Sequence, residues 1–324
     1  MDPAILQAAV DRAPVNDDGR SGATLERVRL ADGRTVIVKR FDPATDVVMR
    51  LVDDSSGREV DLHQSGLLDG LPASVAHPIL ASWYDDAGHG VLVMRDLGDR
   101  VFTWKDTLSA GQISTVLCAV ADLHAAYLGR ELDGLMPLSD VVGLFQPARI
   151  RPLAGNQLVN FALRGWELFA EVAPGEVGQR VLALAQDVTP LVAALERLPA
   201  TLLHGDLSTV NMALDPGLVL IDWGIATRGP AELDVGRLLA GCAHLMTLGF
   251  DDLLAVHREA AGPAYDDAAL RLGLLSGLTW LGWNKALDIV DHPDPEVRDR
   301  ERAALPWWLH QAELAFETGL IQEA

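Results

Sequence analysis

His204-Gly205-Asp206 is followed by Asn211, five residues after that aspartate, and then by an apolar run, Leu218-Val219-Leu220-Ile221, that ends in Asp222-Trp223-Gly224. Two short β-like runs thus deliver acidic and amide side chains at their ends, which is how a sheet edge offers oxygen ligands to a metal ion carrying phosphates. Phosphoryl transfer asks for little covalent chemistry and much positioning. It needs one carboxylate at the attacking hydroxyl, and oxygen ligands on the ion that bridges the phosphates. Asp206 would face the nucleophile, and Asn211 with Asp222 would hold magnesium. The plainer alternative makes these polar turn residues that close a hairpin, with Asp and Asn chosen for turn geometry.

HGD-x4-N, then I-D-W-G, then Asp234 downstream resembles the aminoglycoside phosphotransferase family, the small-molecule branch of the protein-kinase-like fold. The resemblance implies an α+β, bilobal protein-kinase-like fold, with a small β-rich N-terminal lobe over residues 1–97 and a large, mainly helical C-terminal lobe over residues 98–324. It implies Asp206 as catalytic base, Asn211 and Asp222 as metal ligands, and a buried structural role for Asp234. ATP or GTP would donate the phosphoryl group with Mg2+ as cofactor, and a small-molecule hydroxyl would accept it.

The elements that must position these groups can be read upstream. Residues 1 to about 104 read as largely β with one helix: a short helical pattern at 4–11, a turn at Arg20-Ser21-Gly22-Ala23, then strand-like Leu25, Val28 and Leu30. Asp32-Gly33 suits a tight hairpin turn with positive φ. The next strand, 35–41, is a β-branched run with Lys39 near its end, where a kinase-like fold would place the lysine that contacts the nucleotide's α and β phosphates. Alone, Lys39 would read as a solvated strand-end lysine. The helix start after Asp53-Asp54-Ser55-Ser56-Gly57, where an acid or serine can cap, changes that: Glu59 lies early on it as the ion-pair partner. Asp61 competes but points to another side, and the family's Arg-Glu dipeptide matches Arg58-Glu59. Two more strands, 78–84 and 90–94, flank the polar turn at 85–88. The second runs into Arg95-Asp96-Leu97-Gly98, which resembles the family's hinge, where backbone groups of Arg95 and Leu97 would bond adenine and Met94 would wall the base. An edge strand followed by a turn fits the same residues.

From about residue 105 the pattern is helical. Residues 108–128 carry apolar side chains at helix spacing and end in Leu123-His124, read as a core histidine with a backbone or carboxylate partner. Residues 130–160 are punctuated by Pro137, Pro147 and Pro152. Arg149 and Arg151 there could meet an anionic acceptor or simply face water. Helices follow at 160–173, 177–198, 235–248, 250–261 and 270–289, and a last helical region holds Trp307-Trp308. Four of the eight tryptophans lie after residue 279, and they read as core before they read as stacking platforms.

At 324 residues, with 49% hydrophobic and 22% charged residues, the chain has ordinary globular composition and enough length for two lobes. Acidic residues outnumber basic ones 46 to 26, a formal charge of -20 that would repel nucleic acid and anionic lipid. It would attract a cationic acceptor only weakly. Cys118 and Cys242 have no partner at metal-site spacing, the amino terminus lacks a basic n-region, and no apolar run is long enough to span a bilayer. A cytoplasmic protein with no nucleic-acid or membrane partner is expected; its oligomeric state is left open.

The pattern departs from protein kinases in telling places. No G-x-G-x-x-G precedes Lys39, leaving only Ser21 and Gly22 to cover phosphates. Gly205 and Trp223 replace Arg and Phe in the two kinase signatures, and no A-P-E follows. A small-molecule acceptor is therefore expected: an aminoglycoside, nucleoside or macrolide antibiotic, with a sugar or amino alcohol as the alternative. A nucleotide-binding regulator without turnover is the rival from another class, although it would have no use for both a base and a metal shell.

Overall fold

The computed structural model of the chain describes residues 3–15 and 23–322. The Ser21-Gly22 stretch expected to cover phosphates lies outside these residues. The chain folds as two compact units: the first comprises Met1–Asp106, Asp133–Leu135 and Thr209–Ile225, and the second Thr107–Leu132, Met136–Ser208 and Ala226–Ala324.

In the first unit, strands β1 (Ala9–Pro14), β2 (Thr24–Leu30), β3 (Thr35–Arg40), β4 (Val75–Ala76), β5 (Ile79–Tyr84) and β6 (Gly90–Arg95) are formed before residue 100, and all but β4 join one antiparallel sheet in the order β1-β2-β3-β6-β5. Residues alternate between its faces. Val36 and Val38 point to one side and pack with Val28, Val91 and Val93. Ile37 and Lys39, paired in register with Met94 and Leu92, share the other. Residues 4–11 are not a helix: Pro3–Ala8 is a 3-10 turn that runs into β1. Pairing with β2 outweighs a local pattern too short to sustain a helix. At the β2–β3 turn only Gly33 has positive φ, 87°, because the Asp32 side chain accepts the Arg34 amide instead.

Two short helices follow where one was expected, α1 (Val47–Leu51) and α2 (Arg58–Gln64). Asp54 fixes the start of α2, its carboxylate accepting from the amides of Ser56, Gly57 and Arg58 at 3.1, 2.8 and 2.7 Å. The N-cap itself is not the acid or serine expected there but Gly57, at φ of 104° and with no side-chain cap bond; Asp54, three residues earlier, holds the turn that leads into the helix.

The second unit is mainly helical: α3 (Ala110–Tyr127), α4 (Leu138–Val142), α5 (Pro147–Ile150), α6 (Gln157–Val172), α7 (Glu176–Gln186), α8 (Thr189–Leu195), α9 (Glu232–Cys242), α10 (Phe250–Ala261), α11 (Asp267–Asp291) and α12 (Pro295–Glu317). Ser109 and Gln112 form a capping box at the start of α3. The helix read at 177–198 breaks in two, because Asp187 accepts the Thr189 amide and Pro190 can continue only as a new first turn. The one read at 235–248 ends at Cys242 and tightens into a 3-10 turn. Strands β7 (Thr201–Leu203), β8 (Met212–Leu214), β9 (Leu218–Leu220) and β10 (Thr227–Gly229) complete two small sheets: β4-β9-β8 in the first unit and β10-β7 in the second. Among the described residues no helix is long and apolar enough to cross a membrane.

Helices α9 and α11 cross almost backbone to backbone. A Cβ added at Gly236 would lie 1.9 Å from the Gly273 carbonyl oxygen, and one at Gly277 would lie 2.3 Å from that of Gly236. Gly236→Ala is expected to push the helices apart and cost about 1–3 kcal/mol, read as a lower thermal midpoint. Gly111→Ala on α3, where an added Cβ meets nothing within 4 Å, should leave the midpoint in place and serves as control.

Candidate active site

Lys39 is not solvated. It is 8% exposed, and its Nζ donates to Glu59 Oε2 at 2.9 Å and Asp222 Oδ1 at 2.8 Å. Burial alone would depress its pKa; the carboxylates of Asp222 and Glu59 outweigh that and hold it above the ordinary lysine value. The two acids differ in their surroundings. The Glu59 side chain is 1% exposed and also accepts the Trp223 amide at 3.2 Å, so it braces; the Asp222 side chain is 46% exposed and open to a ligand. Asp61, the competing partner, is held instead by the Tyr84 hydroxyl.

Asn211 and Asp222 are set by the β8–β9 hairpin. Met212 and Leu220 pair in register, and the Ile221 amide donates to the Asn211 carbonyl at 3.0 Å, so Asn211 sits opposite the residue before Asp222. Asp222 adopts φ of 66°, a left-handed conformation that aspartate tolerates better than most residues and that costs about 1–3 kcal/mol where function retains it. No cluster of three or more His, Cys, Asp or Glu is arranged to hold a metal among the described residues. A carboxylate and an amide nevertheless fit magnesium, which takes hard oxygen ligands, keeps several waters and is commonly held by one or two protein groups plus substrate phosphates. Sequence reading passed over Asp46, the buried N-cap of α1; burial, with the charge of Asp222 added, pushes its carboxyl above the ordinary range. Three acids near one lysine leave this centre short of positive charge.

The segment after β6 is pinned within the same unit. Arg95 and Arg100 both pair with Asp215 on the β8–β9 turn, and Arg27 on β2 holds Asp96 at 2.8 Å. Met94 is buried on the face of the sheet that carries Lys39, while Leu97 packs with Ala213 and Val219. The Arg95 amide already donates to the Pro78 carbonyl at 2.8 Å, so any base contact from this residue would come from its carbonyl.

Asp206 belongs to the second unit, in the loop after β7. Gly205 takes φ of 84° there, which explains why a glycine stands in the middle of the motif. Asp234 braces the loop from α9: its carboxylate accepts the His204 amide at 2.9 Å and the Gly205 amide at 3.0 Å, and lies 3.1 Å from His124 Nε2. His124 thus has the carboxylate partner expected of a core histidine. The Asp206 carboxylate is met by Arg237 Nη2 at 2.7 Å, a contact with no signal in the motif itself. Its only trace is spacing: Arg237 follows Asp234 by three residues, placing both on one side of α9. Arg149, by contrast, is spent on Asp140 at 2.5 Å.

The first unit thus holds a lysine–acid centre on its β-sheet, and the second a braced aspartate loop among its helices. A model of the phosphotransferase enzyme family matches residues 18–272, and the chain belongs to that family. No curated protein matches it in sequence. Among solved structures, an aminoglycoside phosphotransferase from Alicyclobacillus acidocaldarius is similar over 98% of this chain and 95% of its own, with a TM-score of 0.51 and 18% identity. A choline kinase from Streptococcus pneumoniae is similar over 95% and 96%, with a TM-score of 0.55 and 12% identity. The GDP complex of aminoglycoside 2'-phosphotransferase-IIIa is similar over 98% of each chain, with a TM-score of 0.52 and 11% identity. At these identities the likeness is one of fold.

Proposed function

We propose that the protein moves the γ-phosphoryl group of ATP, or GTP, onto a hydroxyl of a small molecule, with Asp206 as catalytic base. Asp206 accepts the hydroxyl proton while the oxygen bonds to phosphorus and the bond to the departing nucleoside diphosphate breaks. Lys39, fixed by Glu59, holds the nucleotide phosphates; Met94, Arg95 and Leu97 border the base. Asn211 and Asp222 would hold magnesium, which neutralises charge on the phosphates. The observation that carries this reading is the buried Lys39 between a sealed acid and a half-exposed one: burying the Lys39–Glu59 pair costs several kcal/mol per ion, and an anionic ligand with its cation gives that pair a use.

Antibiotics with free hydroxyls are the first acceptors to screen, since the structural neighbours include aminoglycoside phosphotransferases, and sugars and amino alcohols the second, since they include a choline kinase. Use of a cellular nucleoside triphosphate suits a cytoplasmic enzyme. The test is nucleotide consumption across such a panel. Acceptor-dependent consumption supports the reading, acceptor-independent loss makes the protein a hydrolase, and stoichiometric binding without transfer makes it a regulator. Asp222→Ala is expected to weaken Mg2+-dependent nucleotide binding by about tenfold to a hundredfold, the scale of one lost contact to a charged group. Titration calorimetry with and without Mg2+ reads it; equal affinities in both proteins would remove Asp222 from the metal.

A further inference from the structure

Phe41 stands one residue past the end of β3, and strand alternation brings it to the face that carries Lys39. The Lys39 ammonium lies over its ring, 4.8 Å from the centre. The ring is buried, and two glycines make room for it. A Cβ added at Gly57 would meet ring carbons at 2.8 Å, and one added at Gly90 would meet the ring at 2.9 Å. Hydrogen bonds tie the same three segments together: the Phe41 amide donates to the Gly90 carbonyl at 3.0 Å, and the Gly90 amide donates to the Ser56 carbonyl at 2.6 Å. Ser56 and Gly57 lead into α2, so the ring sits between the strand that carries Lys39 and the start of the helix that carries Glu59.

The supports of Lys39 are unequal. Glu59 and Phe41 are sealed, whereas the Asp222 side chain is half exposed and draws the ammonium toward solvent. Asp222 is also the residue assigned to magnesium above, so it cannot be the lysine's lasting partner. A further carboxylate in place of the ring would neutralise the lysine and compete with phosphate for its N–H groups. A ring face attracts the cation through its quadrupole and offers no oxygen, and the attraction is largest where water is excluded. We propose that Phe41 is a positioning residue of the nucleotide site: its ring holds the Lys39 ammonium on the buried side, beside Glu59, ready for the nucleotide's phosphates. The inference rests on the reading of Lys39 as the phosphate-binding lysine and goes beyond it by naming what keeps that lysine in place. Without the pull of the ring, Lys39 would follow Asp222 outward in the free protein, and nucleotide binding would have to order it again.

Fluorine drains the negative face of a ring while hardly changing its size, so mono-, di- and trifluorinated phenylalanine at position 41 weaken the attraction stepwise and keep the packing. Two quantities are read on each full-length protein. One is the rate at which an amine-selective acetylating reagent modifies Lys39 in the absence of nucleotide, followed by peptide mass spectrometry; the other is calorimetric affinity for ATP with Mg2+. Modification of Lys39 should quicken with each fluorine, and ATP affinity should fall in the same order, by about tenfold across the series. Phe41→Leu, which fills similar space without a π-face, should lie at or beyond the trifluorinated end; if it does not fold, the fluorinated rings still decide. A flat series in either readout overturns the proposal, because packing alone would then account for the ring. A parent protein that binds no ATP fails the phosphotransferase reading and takes the proposal with it, whereas a flat series in a parent that binds ATP fails the proposal alone.

Discussion

Asp206→Asn lowers acceptor-dependent nucleotide consumption by about 10²–10⁴-fold and leaves nucleotide affinity nearly unchanged. General base catalysis contributes on that scale. Asparagine has almost the shape of aspartate and keeps an oxygen for Arg237, which sits 2.7 Å from the carboxylate in the parent protein, so the loop braced by Asp234 has no cause to move. What the amide lacks is the capacity to take a proton. The loss should therefore fall on kcat, with the KM for nucleotide little affected. Steady-state rates and calorimetric nucleotide binding on the same preparation check both halves. Turnover at the parent rate would remove the base assignment, and joint loss of turnover and nucleotide binding would show that the substitution acts through the fold.

The Lys39–Glu59 pairing of the first unit was legible because it depends on local order. A β-branched run ending in Lys39 sets the face that lysine takes, and a helix that starts at Arg58 puts Glu59 in its first turn, so their pairing at 2.9 Å follows from two short stretches read separately. Sequence left Asp61 as a competitor; the Tyr84 hydroxyl that holds it lies on a different strand, beyond the reach of helix spacing. Arg237 and Trp280 were illegible for a stronger reason. They meet only because Gly236, Gly273 and Gly277 let two helices approach far closer than side chains usually allow, and such a crossing is a property of both helices at once. The same non-local logic explains why β1 replaces an expected helix. Its backbone is claimed by β2, from Ala9 opposite Leu30 to Pro14 opposite Glu26.

The largest loss of stability from one substitution in the catalytic loop's support is expected at Asp234. Its buried carboxylate holds the backbone of His204 and Gly205 from below and faces His124. Asp234→Asn puts an amide donor among groups that are themselves donors and removes the charge that answers His124. Breaking one member of such a buried cluster costs about 3–5 kcal/mol, which corresponds to a thermal midpoint lower by on the order of ten degrees. The effect has a sign in pH. Burial pushes the Asp234 carboxyl up, but the hydrogen bond and charge of His124, with His204 adding to them, hold it below the ordinary aspartate value. A carboxyl whose folded pKa is depressed stabilises the protein fully above its unfolded pKa, and loses that contribution as pH falls through the lower folded value. Melting curves of parent and variant should thus stand well apart at pH 7 and converge as the pH drops below about 4. Equal midpoints at pH 7, or a gap that widens in acid, would mean that Asp234 does not carry the loop; the position of Asp206 would then have to be explained by Arg237 alone.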